Sequence, residues 1–178
     1  MKTRSTIIVL GALVLTVATR ASAQEWRKIV PLKSTRADVE RLLGPAEQPY
    51  GVDYELKNGV LSVEYSTGPC RKDRRGGWNV PEGVVISFSF SAKHKQRVTD
   101  LKLNRKRFRR VIDTHTGGIT YYINDEDGIM YEVQQGRVEG VEYYPPKKYD
   151  HLYCGEPAEG RQPARKQAKL SSQESFTV

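Results

Sequence analysis

Histidine is scarce in this chain, at three residues in 178, and cysteine is scarcer, at two. His94, His115 and His151 share no H-x-x-x-H or related spacing, which excludes a helix-borne zinc pair; no metal is expected. Cys70 and Cys154 stand far apart, which excludes a C-x-x-C redox centre. No G-x-S-x-G, P-loop or G-x-G-x-x-G occurs, so the usual nucleophile elbow and phosphate cradles are missing. Neither catalytic residues nor a cofactor is expected. Long apolar runs are lacking too. A spanning helix needs roughly 20 apolar residues, and the longest run, Thr6 to Val17, is shorter and is broken by Gly11 and Thr16. No transmembrane segment is expected.

That same run has another use. Lys2 and Arg4 precede it, and Ala21-Ser22-Ala23 follows it as a small-x-small site. This order of charge, apolar stretch and small residues is that of a cleavable export signal, expected over residues 1–23. The first cysteine is Cys70, so no lipid-carrying cysteine stands at the cleavage point. At the other end, residues 155–178 are dominated by Gly, Pro, Ala, Ser, Gln and charge. Such a segment buries too little apolar surface to offset the entropy of ordering, so a disordered tail is expected. A single domain over residues 24–154 is what remains, a length that suits one core.

The formal net charge of +8 falls to +5 once Lys2, Arg4 and Arg20 leave with the signal. That modest excess suits weak attraction to an anionic surface. Export also sends two thiols to an oxidising compartment, where a Cys70–Cys154 disulfide is the natural reading.

Local patterns then place the elements. Thr35 and Asp38 form a capping-box pair ahead of RADVERLL, with Val39, Leu42 and Leu43 at helical spacing and Gly44-Pro45 as the stop. Tyr50 to Leu56 and Val60 to Tyr65 alternate, with Asn58-Gly59 read as a tight type I′ turn between them. Val84 to Ser91 alternates with Ile86, Phe88 and Phe90 on one face, and Val98, Leu101 and Leu103 suggest a less regular strand. Ile119 to Ile123, Ile129 to Val133 and Val138 to Tyr144 read as a meander ended by Pro145-Pro146. The expected class is α+β: one short helix packed on a mostly antiparallel sheet of about six or seven strands. Tyr54 to Tyr65 and Tyr122 to Glu132 also echo each other as tyrosine-flanked hairpins.

The capped helix STRADVERLLGPA behind an export signal resembles the BamE (SmpA/OmlA) family of bacterial envelope proteins. Thr35, Val39, Leu43 and Gly44 match its T-x-x-x-V-x-x-x-L-G pattern, while Pro45 follows the glycine without a spacer. The resemblance implies a helix packed on an antiparallel sheet. A wider pattern resembles a set of exported bacterial proteins without a known activity. It is carried by Trp26 to Pro45, Gly68-Pro69-Cys70, Gly77 to Pro81 and His151 to Cys154.

Three groups of residues are candidates for contact. Arg71, Arg74 and Arg75 form a basic cluster beside Trp78, which reads as a core plug beneath the Cys70 loop or as a recognition aromatic. Lys93 to Arg97 and Arg105 to Arg110 form two more basic clusters; export argues against nucleic acid as their partner. Tyr122, Tyr131 and Tyr143, with Tyr121 and Tyr144, suggest a tyrosine-rich interaction face. The acidic turn Asn124 to Gly128 fails the calcium-loop pattern, because Ile123 and Gln134 stand where oxygen ligands are needed. The expected function is a non-enzymatic exported protein, periplasmic or secreted, that binds or scaffolds an envelope protein. The alternative is an anionic-surface module acting through the basic loops.

Overall fold

The computed structural model describes residues 26–45, 52–71, 76–113 and 118–155. The expected signal, the tail beyond Gly155, Tyr50, Arg74, Arg75 and His115 lie outside the described residues.

Helix α1 spans Arg36–Leu43, and its start is held as the sequence implies. The Thr35 hydroxyl accepts from the Asp38 amide, and the Thr35 amide donates to the Asp38 carboxylate at 2.9 Å. The stripe is narrower than its spacing suggests. Val39 is fully buried and Leu43 half-buried, but Leu42 is 45 % exposed. Two turns of helix therefore place a single fully buried side chain in the core.

Seven strands follow among the described residues: β1 (Val52–Leu56), β2 (Gly59–Tyr65), β3 (Val85–Ala92), β4 (Arg109–Asp113), β5 (Ile119–Asn124), β6 (Ile129–Gln134) and β7 (Arg137–Tyr143). All pair antiparallel in one sheet, ordered β1-β2-β3-β7-β6-β5-β4. The expected α+β class is thereby corrected to mostly β. The single eight-residue α-helix among the described residues cannot form a second layer of its own; the sheet carries the fold.

Two meanders meet in the middle of this sheet. The first is β1-β2-β3; the second, β5-β6-β7, joins it where β3 pairs β7 through Phe88, Ser89 and Phe90. The two echoing hairpins, β1–β2 and β5–β6, thus lie on opposite sides of the seam. Chain segment 93–108 leads from the seam to β4 at the far edge. Within it Val98–Leu101 forms a 3₁₀ turn, ended by Lys102 in the left-handed region, so the expected strand there does not exist. The strand that replaces it is β4, whose two leading arginines hide its apolar content from a pattern search.

Two local expectations are also revised. The β1–β2 turn is centred on Lys57 and Asn58, because Leu56 pairs with Gly59, and neither residue has a positive φ. The type I′ geometry is found instead at Gln135-Gly136, with φ of 51° and 74°. In β3, the register shift opposite Glu64 and Tyr65 breaks the alternation. Val85 and Phe88 enter the main core, while Ile86 turns to the cluster around Trp78.

That main core gathers Ile29, Val39, Tyr54, Leu61, Val63, Tyr65, Val85 and Phe88 under α1, with Trp26 laid over Phe88 and Phe90. A second cluster holds Trp78, Val80 and Val84, and a third holds Tyr121, Ile123 and Met130.

Candidate functional site

One end of the sheet collects the loops that carry the candidate residues: those before β4, after β5 and after β7. At the loop after β5, the Asn124 side chain accepts from the Asp127 amide at 3.1 Å and donates to its carboxylate at 2.7 Å. Gly128 takes φ 64°, and a Cβ there would collide with the Tyr144 carbonyl. The turn is therefore pressed against the chain leaving β7. Its acids all face cations. Arg107 donates to Asp127 at 2.5 Å, Arg109 to Asp125 at 3.0 Å, and Lys147 lies 3.6 Å from Glu126. These ion pairs tie the loop after β5 to the loops before β4 and after β7.

Between these loops runs a cleft of about 530 Å³, floored by Ile123, Tyr144 and Pro145 and rimmed by Arg105, Lys106 and Phe108. The Tyr144 hydroxyl donates to Asp125 at 3.0 Å. Burial, reinforced by the Asp125 charge, pushes the Tyr144 phenol well above its ordinary range, so it stays protonated. The phenol and the arginine-paired carboxylate clamp the loop after β5 to the chain leaving β7. Among the described residues, no three His, Cys, Asp or Glu side chains converge to hold a metal ion.

Only some of the Arg105 to Arg110 cluster is neutralised. Arg107 and Arg109 have the partners named above. Arg105, Lys106 and Arg110 are exposed and have no ion pair among the described residues. Arg110 begins the outer run of β4, and Ile112, two residues on, is 52 % exposed.

Cys70 and Cys154 are joined by a disulfide, with Cα atoms 5.5 Å apart. Beside it the two chain segments run as a short ladder. Gly76 donates to Cys154 O at 2.8 Å, Cys154 to Gly77 O at 2.9 Å and Asn79 to Leu152 O at 2.7 Å. Trp78 is buried in this corner, edge-on to Tyr153 with centroids 5.4 Å apart. It is the plug and not an exposed recognition aromatic. Arg71 is exposed nearby.

The tyrosines divide between two faces. Tyr122 pairs directly with Tyr131, and Tyr143 sits diagonally across on the same face. Tyr121 is buried on the opposite face, and Tyr144 belongs to the cleft. Tyr131 leans on Phe108 at 5.9 Å, and Tyr143 stacks on Phe88. Burial holds the Tyr131 phenol above its ordinary value and pushes Tyr143 up to about 12. Much of this face is therefore committed to packing. Sequence reasoning missed β4 as an element; the signal that could have found it is the alternation of Arg110 and Ile112 against Val111.

Comparisons with known proteins add little to this geometry. No protein-family model matches the chain, and no curated protein matches it. Among solved structures, the chain is similar to a DUF4309 family protein (YjgB) from Bacillus subtilis subsp. subtilis str. 168. The likeness has 13 % identity and a TM-score of 0.44, covering 65 % of this chain and 81 % of that one. A likeness that slight bears on neither mechanism nor partner. Nothing in these comparisons links the chain to the BamE family or to exported proteins.

Proposed function

We propose that the protein is exported and acts as a non-enzymatic binding module of the cell envelope or its surroundings, engaging another protein through the outer edge of β4. The observation that carries this reading is Ile112, a large apolar side chain more than half exposed on a strand at the end of the sheet. Such an edge is a template for an incoming chain. Three features support the export half of the reading. A disulfide closes the domain, no described helix is long and apolar enough to cross a membrane, and the first 23 residues follow the order of an export signal.

Photo-crosslinking in the native host tests the contact. A benzophenone amino acid at position 112 is expected to capture one reproducible partner, whereas the same probe at Glu55, on the opposite edge strand, does not. Recovery of only uncrosslinked protein from position 112 overturns the reading. A native chain that begins at Met1, or that carries two free thiols, overturns its export.

A second reading is an anionic-surface module. Arg105, Lys106 and Arg110, exposed and without ion pairs among the described residues, favour it, as does the exposed Arg71 on another loop. Co-sedimentation with phosphatidylglycerol vesicles that falls steeply with added salt is its expected result, and binding indifferent to salt removes it.

A further inference from the structure

We propose that the partner segment is acidic and extended, and that it adds to β4 as an eighth strand, with a carboxylate side chain opposite Arg110 and an apolar one opposite Ile112. This rests on the protein-binding reading above and names the chemistry of what is bound. Among the described residues β4 hydrogen-bonds to β5 alone, so against them its other side presents main-chain donors and acceptors to an arriving strand. Strand side chains alternate, so Arg110 and Ile112 share one face, standing across from Tyr122 and Thr120, while Val111 points the other way. An added strand has the same period. Its side chains meeting Arg110 and Ile112 are therefore two residues apart, and the segment reads acidic-x-apolar in one direction or apolar-x-acidic in the other.

Charge selects the sign. Arg107 and Arg109 are already matched by Asp127 and Asp125. Arg110 on the edge, and Arg105 and Lys106 on the approach to it, are left to meet a partner's carboxylates. A charged edge by itself is a common guard against aggregation, but an exposed isoleucine beside the arginine does not serve that end. A second copy of this chain fits less well. Antiparallel pairing about Val111 sets Asp113 against Arg109, which Asp125 already matches, and Ile112 against Arg110, so Arg110 gains no carboxylate.

The test uses the full, oxidised chain and two fluorescein-labelled eight-residue peptides. One carries glutamate and valine two positions apart in a threonine background; the other has lysine in place of glutamate. Fluorescence anisotropy is expected to show binding of the acidic peptide that weakens with salt. The lysine peptide should bind at least tenfold more weakly. Arg110→Glu and Ile112→Lys should each reduce acidic-peptide binding at least tenfold, while Glu55→Lys on β1 leaves it unchanged. Circular dichroism confirms that the variants, all at exposed positions, keep the sheet. Failure of the acidic peptide to bind, or binding indifferent to Arg110→Glu, overturns the proposal. So does a concentration-dependent dimer that Ile112→Lys dissolves, which gives the edge to a second copy. A crosslinked partner at position 112 together with failed peptide binding removes only the acidic chemistry; no crosslink at all removes the binding reading beneath it.

Discussion

Phe88 and Tyr143 stack across the β3–β7 seam with ring centroids 4.8 Å apart and planes 17° from parallel. They are direct register partners, one of the three pairs that join one meander to the other. Phe88 is almost fully buried, so Phe88→Ala should cost about 3–5 kcal/mol. Tyr143→Leu keeps apolar bulk but loses the ring and should cost less. A double-mutant cycle by urea unfolding should return a coupling of about 0.5–1.5 kcal/mol. Additive losses would show that the seam does not depend on the stack.

Gly59 is needed for closeness, not for turn geometry. A Cβ there would lie 2.7 Å from the Phe90 ring and collide with the Ser91 carbonyl. Gly59→Ala should therefore destabilise the sheet by about 1–3 kcal/mol. Asn58→Ala, at a turn position without positive φ, should stay within about 0.5 kcal/mol. The reverse ranking in thermal unfolding would restore the Asn-Gly turn.

Reduction of the Cys70–Cys154 bond, which spans a sequence separation of 84, should remove about 4 kcal/mol by the chain-entropy account. Because Trp78 is buried in the ladder beside it, reduction should also shift tryptophan emission to the red. Unchanged stability in reductant would mean that the ladder and the Trp78 cluster hold this corner unaided.

Hydrogen bonds from the Thr35 amide and hydroxyl, with help from Arg41, hold the Asp38 carboxyl down at about 2, against an ordinary value of 3.8. A folded-state value below the unfolded one means stability that is complete above pH 3.8 and lost as pH falls through about 2. Thr35→Ala should cost about 1 kcal/mol at neutral pH. It should also bring the Asp38 titration, followed by carboxyl NMR shifts, back towards 3.8. A titration unmoved by Thr35→Ala would sink this account of the cap.

Candidate residues were unevenly legible. Pairing of Cys70 with Cys154 follows from having two thiols and the expectation of an oxidising destination, and burial of Trp78 follows from the cost of exposing an indole. The tyrosines could be counted but not assigned. Tyr121 and Tyr122 are neighbours in sequence, yet the pleat sends one into a core and the other to the opposite face. Even Tyr131 and Tyr143, which do share a face, turn out to be packed against Phe108 and Phe88.

What the sequence alone determined is local. The Thr35–Asp38 box and the two echoing hairpins are contacts between residues a few positions apart, whose geometry depends on backbone propensity and side-chain spacing. Tertiary structure decided the rest. Seating β7 beside β3, shifting register at Val85 and Ile86, and making an edge strand of two arginines and an isoleucine all depend on segments far apart in the chain. Those pairings are chosen by which apolar faces can be covered together, a comparison over the whole sheet that no single window of residues contains.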